Sequence, residues 1–113
     1  MNYSVYDEDN IHVNVKGIAR VERCVAEFDV WELQKTPFSK FKVKIIESTD
    51  GIFTGYTNLI LKNLEDGSPD GEAGHGATVE EALENTLKYF MEMLNERQEL
   101  TEDDFEWADP DDF

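Results

Sequence analysis

The sequence predicts an α+β protein, with an antiparallel β-sheet of about four strands packed by one long helix near residues 78–97 and followed by an acidic C-terminal tail. Three observations predict this fold class. Several segments of the first half alternate apolar and polar residues, which is typical of strands with one buried face. One segment of the second half repeats its apolar residues at steps of three and four, as an amphipathic helix does. The chain of 113 residues, 40% of them hydrophobic, has room for one packed core.

The first two strand candidates precede residue 34. The segment "NIHVNVKG" alternates Ile11, Val13 and Val15 with polar residues, and Gly17 then marks a turn. The next segment, residues 20–33, is ambiguous because its apolar residues fit either a helical stripe or an alternating strand. Its density of β-branched and aromatic residues favours a strand.

A β-hairpin is predicted next. The segment "KFKVKIIES" alternates inward Phe41, Val43 and Ile45 with three outward lysines. The turn "STDG" at residues 48–51 ends in an Asp-Gly pair, which tolerates the positive φ of a tight hairpin. The partner strand is "IFTGYTNLILKNL", and Gly55 within it indicates a bulge or a close approach of another element.

The predicted helix follows a glycine-rich loop at residues 64–77. Thr78 occupies the N-cap position, and Glu81 three residues later completes a capping box, which satisfies the first free N–H groups of the helix. Apolar residues then recur on one face of the helix. They are Val79, Ala82, Leu83, Leu87, Phe90, Met91 and Leu94.

The charge is divided unequally between the two halves of the chain. Residues 1–63 hold nine acidic and eight basic side chains, whereas residues 64–113 hold seventeen acidic and two basic ones, a net charge of −15. Such a negative field repels phosphates, so it argues against direct binding of nucleic acid or anionic lipid through this half. It attracts basic proteins, with fast and salt-sensitive association.

The sequence predicts a cytoplasmic protein without a membrane span. The single cysteine, Cys24, cannot form an internal disulfide and suits a reducing compartment. The N-terminal residues are acidic and lack the basic and apolar order of a secretory signal. The longest apolar runs are three residues, far short of the length of a membrane span.

Few residues suggest catalysis or metal binding, and we predict no enzyme activity, no catalytic residue, no metal and no cofactor. His75 lies between two glycines without a neighbouring nucleophile. Cys24 lies in an apolar stretch, where we expect a small buried thiol. The acidic loop fails the EF-hand pattern, since counting from Asp66 places Ala77 where a bidentate Glu is required.

The tail, residues 98–113, is predicted as a segment separate from a single domain at residues 1–97. It interleaves aromatic side chains with acids, which suits either docking on the protein's own sheet or docking on a partner. Both alternatives remain open from the sequence. The residues predicted to bind a partner are Asp103, Asp104, Phe105, Glu106, Trp107, Asp109, Asp111, Asp112 and Phe113.

Two segments together resemble the HicB-type antitoxin fold. They are "FKVKIIESTDGIFTGYTNLIL" and "GATVEEALENTLKYF", in which the matching residues are Gly76, Thr78, Glu80, Glu81, Ala82, Leu83 and Asn85. The resemblance covers roughly residues 41–94. It implies a partial RNase H-like sheet and a protein that sequesters a basic toxin or nuclease. An acidic tail follows the helix in place of a DNA-binding unit, so transcriptional autoregulation is not implied.

We therefore expect a small acidic inhibitor, similar to an antitoxin or immunity protein, that blocks a basic partner such as a toxin, a nuclease or a nucleic-acid-binding enzyme. A phage-type DNA mimic directed against a restriction or defence enzyme is the alternative. A small enzyme that uses His75 or Cys24 is a third, less favoured reading, and an accessory protein of a phage or mobile element is a fourth. A homodimer is compatible with the sequence.

Overall fold

A computed structural model describes residues 14–19, 21–48, 50–65, 67, 73–110 and 113. Over these residues the chain forms six strands, one α-helix and one 3-10 turn, which confirms the predicted α+β class. The elements are β1 (Arg23–Trp31), β2 (Lys40–Glu47), β3 (Phe53–Thr57), β4 (Leu59–Leu61), β5 (Gly74–Gly76), α1 (Val79–Asn95), the 3-10 turn (Glu102–Asp104) and β6 (Phe105–Trp107).

The main sheet has four antiparallel strands in the order β1-β2-β3-β5. The ambiguous segment at residues 20–33 contains strand β1, which pairs with β2 from Arg23 opposite Glu47 to Trp31 opposite Lys40. A bulge between Cys24 and Ala26 shifts the register once. The local pattern of this segment fits either a helix or a strand, and pairing with β2 makes it a strand.

The predicted partner strand of the hairpin is divided in two at Asn58. The Asn58 side-chain oxygen accepts a hydrogen bond from the Lys42 N–H at 2.7 Å, and the Asn58 N–H donates to the Lys42 carbonyl at 2.9 Å. Beyond this point the chain leaves β2. Strand β4 instead pairs with β6 in a separate two-stranded sheet, with Leu61 opposite Phe105.

The N-terminal strand prediction is only partly covered by the structure. Residues 10–13 of the segment "NIHVNVKG" lie outside the described residues, and residues 14–16 form no strand. The turn predicted at Gly17 is present, because Gly17 has φ 94° and the Ile18 N–H donates to the Val15 carbonyl at 3.0 Å. The turn at residues 48–51 is confirmed in the same way by φ 84° at Gly51.

The last residues of the predicted loop at residues 64–77 form a strand, β5, instead. Strand β5 pairs with β3, with His75 opposite Thr54. Gly74 and Gly76 are buried beneath α1, where a Cβ on either residue would overlap helix atoms. Because glycine has no side chain, strand β5 can lie directly against the helix. Glycines are also typical of turns, so the sequence predicted a loop here and not a strand.

The core lies between the helix and one face of the sheet. The predicted inward residues Phe41, Val43 and Ile45 are all buried, and Ala82, Phe90 and Leu94 of α1 cover them. The remaining buried apolar residues of the described chain come from the smaller sheet, namely Leu59, Leu61 and Phe105.

The helix begins as predicted. The Thr78 hydroxyl accepts a hydrogen bond from the Glu81 N–H at 3.1 Å. The Glu81 carboxylate accepts from the Ala77 N–H at 2.8 Å, one residue before the N-cap that the capping box predicts. Thr86 is buried beside the apolar residues because its hydroxyl donates to the Ala82 carbonyl at 2.7 Å.

Candidate protein-binding surface

The second half of the chain presents a surface of exposed carboxylates, which we call the acidic surface. It consists of the outward side chains of α1 and of the segment that follows it. Its exposed members are Glu80, Glu81, Glu84, Glu92, Glu96, Glu99, Glu102, Asp103 and Asp109. The sequence predicts the charge of this half, and the structure shows that the helix carries much of it on the side away from the sheet.

One of the two basic residues of this half is withdrawn from the acidic surface. The Arg97 side chain is only 12% exposed, its Nη1 lies 3.8 Å from Asp104 Oδ1, and its Nη2 donates to the Lys62 carbonyl. Lys88 is therefore the one exposed basic side chain within residues 73–110. Because Arg97 is largely buried and paired, the electrostatic potential of the acidic surface is more uniformly negative than the composition of this half indicates.

The C-terminal end of α1 carries charge of the unfavourable sign. Its last turn contains no basic residue, while Glu92 lies in that turn and Glu96 is the C-cap. A helix dipole places negative partial charge at this end, so each carboxylate costs about 0.3–1 kcal/mol at low ionic strength. The stability of the helix therefore does not explain why these two residues are acidic.

The tail docks on the protein's own body through Phe105. This side chain is 4% exposed, and its ring centroid lies 5.9 Å from that of Phe38 in an edge-to-face contact. Pairing of β6 with β4 holds the segment, and the Ala108 N–H extends the pairing with a 2.7 Å bond to the Asn58 carbonyl. Phe105 was among the predicted partner-binding residues. In the folded protein it is inaccessible to a partner, because it completes the core.

The other two aromatic residues of the tail are at the surface. Trp107 packs one side against Phe38, with 5.0 Å between ring centroids, and remains 47% exposed. The Phe113 ring lies over the Lys44 ammonium, 4.8 Å from Nζ to the ring centroid, and that ammonium donates to the Phe113 carbonyl at 2.8 Å. Trp107 thus presents an open aromatic face, while Phe113 is held on the sheet.

The predicted acidic residues of the tail differ in their environments. Asp103 and Asp109 are exposed, and Glu106 is partly exposed. Asp104 is engaged internally, since its Oδ2 accepts from the Thr101 N–H at 2.8 Å and its Oδ1 faces Arg97. Asp111 and Asp112 lie outside the described residues.

The glutamates of α1 were not among the predicted partner-binding residues, all of which lie in the tail. Glu84, Glu92 and Glu96 follow the outer side of the helix and share the exposure of the tail acids. The sequence could have shown that these glutamates are exposed. The helical period that predicts the buried apolar face of α1 also predicts which acidic residues lie on the opposite face.

The residues considered for catalysis do not converge. Cys24 lies on β1 and His75 on β5, at opposite edges of the four-stranded sheet. Cys24 is exposed, contrary to the expected buried thiol, because its position opposite Ile46 turns it away from the helix. His75 is exposed on β5, and its Nδ1 lies 3.0 Å from the Thr54 hydroxyl of β3.

No three His, Cys, Asp or Glu side chains among the described residues gather as metal ligands. No helix in the same part of the chain has both the length and the apolar character needed to cross a membrane.

Comparison with known proteins gives no family assignment: no protein-family model, no curated protein and no solved structure matches the chain. The resemblance to HicB-type antitoxins stays a prediction.

Proposed function

We propose that this protein is a small cytoplasmic inhibitor that binds a basic protein partner and blocks it by steric and electrostatic means, without chemistry. The observation that carries the proposal is the acidic surface, which has one exposed cation within residues 73–110 and lies in the same half of the chain as the half-exposed Trp107. A toxin, a nuclease or a nucleic-acid-binding enzyme has the positive surface that such a protein would occupy.

Two physical roles are combined in this surface. The carboxylates accelerate encounter with a basic partner and make the association sensitive to salt. Trp107 supplies the apolar contact, because large aromatic side chains surrounded by polar residues are the usual energetic centres of protein interfaces. Asp103, Glu106 and Asp109 supply polar contacts in the same segment, and the glutamates of α1 extend the charged area.

The structure changes which experiment tests this proposal. Truncation after Arg97 would remove Phe105 from the core and the pairing partner of β4, so lost binding could reflect lost folding. Substitutions at exposed acids avoid this difficulty. Glu84, Glu92, Glu96 and Asp103 are suitable because all four are exposed.

The test compares two variants of the protein, each of which carries four substitutions. The neutral variant carries Glu84→Gln, Glu92→Gln, Glu96→Gln and Asp103→Asn. The matched control, with the negative charges kept, carries Glu84→Asp, Glu92→Asp, Glu96→Asp and Asp103→Glu. We expect wild type and control to co-purify with a basic protein and to inhibit its activity. The neutral variant should bind at least about fourfold more weakly at low salt, since exposed ion pairs contribute about 0.2–1 kcal/mol each.

The outcomes separate the proposal from its alternatives. Equal binding by the neutral variant and the control would reject the acidic surface as the interface. Competition between this protein and duplex DNA for the same partner would favour the DNA-mimic form of inhibition. A captured protein whose activity is unchanged by binding would reject inhibition altogether.

A further inference from the structure

Within the part of the chain that the structure describes, strand β1 is an unpaired edge of the main sheet. It stands at the end of the strand order, and no strand in the described part of the chain pairs with its other side. The Glu32 N–H donates to the Ser39 carbonyl at 3.0 Å, so residue 32 faces β2. Because the backbone groups of a strand alternate in direction, Glu27, Asp29 and Trp31 direct their N–H and C=O groups away from the sheet.

This edge has few of the features that usually prevent strand pairing. Natural edge strands are often very short, interrupted by proline or charged on the inward face. Strand β1 has nine residues and no proline, and its inward residues Phe28 and Val30 are apolar and only partly buried. Its bulge affects only the N-terminal end. Helix α1 lies over β5, β3 and β2, so the helix leaves this flank of the sheet uncovered.

The balanced charge around β1 suits pairing with a second copy of the same chain. Residues 21–47, which contain β1 and β2, hold five acidic and five basic side chains. Two lysines of β2 balance the charges of Glu27 and Asp29. Lys42 Nζ lies 3.2 Å and 3.5 Å from the two carboxylates, and Lys40 Nζ lies 3.9 Å from that of Asp29. Two molecules that each carry a net charge of −16 repel one another elsewhere, and this neutral edge is where they can approach.

We propose that β1 pairs antiparallel with β1 of a second copy and forms a two-fold symmetric dimer. The two four-stranded sheets would become one continuous sheet, in which Glu27, Asp29 and Trp31 gain backbone hydrogen bonds and Phe28 gains apolar cover. The inference is independent of the proposed function, because the acidic surface of each copy remains exposed in the dimer.

The experiment removes one outward N–H while leaving the molecule's own sheet intact. Proline at residue 29 lacks the N–H that faces the open edge, a position at which edge strands tolerate proline. The control Asp29→Ala removes the same carboxylate but keeps the N–H. Sedimentation and light scattering of the full chain should show wild type and Asp29→Ala as dimers. Asp29→Pro should be a monomer with an unchanged circular dichroism spectrum.

Hydrogen exchange provides a second readout that does not depend on the proline variant. In the wild-type dimer, the amides of Glu27, Asp29 and Trp31 should be protected, and dilution to the monomer should remove that protection. A wild-type protein that is monomeric at high concentration overturns the proposal. So does a dimer in which these amides exchange freely, or protection that persists in the monomer, which would mean that another segment of the chain covers the edge.

Discussion

At the scale of single residues, close contacts between backbone segments depend on glycine. Gly55 of β3 and Gly74 of β5 both face Thr86 of the helix, and a Cβ on either glycine would overlap the Thr86 side chain. The sequence indicated a bulge or a close approach at Gly55, and the structure shows the close approach. Thr86 fits this contact because its hydroxyl is hydrogen-bonded within the helix.

We expect Gly55→Ala to lower the free energy of unfolding by about 1–3 kcal/mol, because the added methyl group overpacks the sheet against the helix. Urea unfolding of the purified protein measures the change. Combining it with Thr86→Ala, which removes the nearest atom, the Thr86 hydroxyl oxygen, should recover part of the loss. Strictly additive effects of the two substitutions would contradict a direct contact.

Glu32 organises the loop between β1 and β2 by accepting three backbone hydrogen bonds. They come from the N–H groups of Thr36 at 2.7 Å, Lys35 at 2.8 Å and Gln34 at 3.0 Å. Burial by itself raises the pKa of Glu32, but these hydrogen bonds together with that of the Thr36 hydroxyl outweigh it and lower the pKa below its ordinary value of 4.5.

A lowered folded-state pKa means that Glu32 contributes stability above pH 4.5, and that this stability is lost as the pH falls through the folded-state value. We expect Glu32→Gln to lower the free energy of unfolding by about 1–2 kcal/mol at pH 7. The difference from wild type should shrink as the pH is lowered from 7 to 3, because Glu32 becomes protonated as the pH falls through its lowered folded-state pKa. Urea unfolding at both pH values checks this, and an equal difference at both would show that ionisation of Glu32 is not involved.

At the scale of elements, the loop after β1 and the tail strand β6 stabilise each other. Phe38 of the loop contacts both Phe105 and Trp107 of β6. The pairing of β6 with β4 extends over only three residues, so side-chain packing must supply much of its stability. The tail is therefore part of the fold where Phe105 anchors it and part of the surface where Trp107 emerges.

We expect Phe38→Ala to destabilise the protein by about 1–3 kcal/mol and to expose Trp107 further, because its covering ring is lost. Tryptophan fluorescence should shift to longer wavelength in the folded variant. The same substitution in a Trp107→Phe background should produce no such shift, since Trp31 lies elsewhere on β1. Phe38→Leu, which keeps most of the apolar cover, should have a smaller effect than Phe38→Ala.

At the scale of the whole molecule, the net charge of −16 acts on folding and on binding in opposite ways. Repulsion among the carboxylates destabilises the compact state, while the same field attracts a basic partner. The exposed carboxylates at the C-terminal end of α1 show the same opposition. They are unfavourable at the negative end of the helix dipole, but they add to the negative field of the molecule. The molecule retains a charge distribution that its own stability does not favour.

We expect added sodium chloride to raise the melting temperature of the free protein by a few degrees, because salt screens the repulsion among its carboxylates. The same addition should weaken partner binding. Calorimetry of the free protein and titration of the complex over one series of salt concentrations measure both effects. A melting temperature that falls with salt would contradict the claim that carboxylate repulsion limits stability.

Structural features that depend on residues close together in the sequence could be predicted from the sequence alone. The alternation that forms β2, the turn at Gly51, the Thr78 cap and the apolar stripe of α1 are local patterns, and all four are present in the structure. The concentration of negative charge in residues 64–113 is a matter of composition and requires no structure.

Only the tertiary structure decided which surfaces cover one another. Leu61 pairs with Phe105, the Lys42 N–H donates a hydrogen bond to Asn58, and Arg97 forms an ion pair with Asp104. Each of these contacts joins two different segments of the chain. Hydrophobicity shows that an aromatic side chain avoids water, but it does not show whether the protein's own core or a partner will cover it. Three-dimensional pairing therefore placed Phe105 inside and left Trp107 half exposed, although the tail sequence presents the two side chains alike.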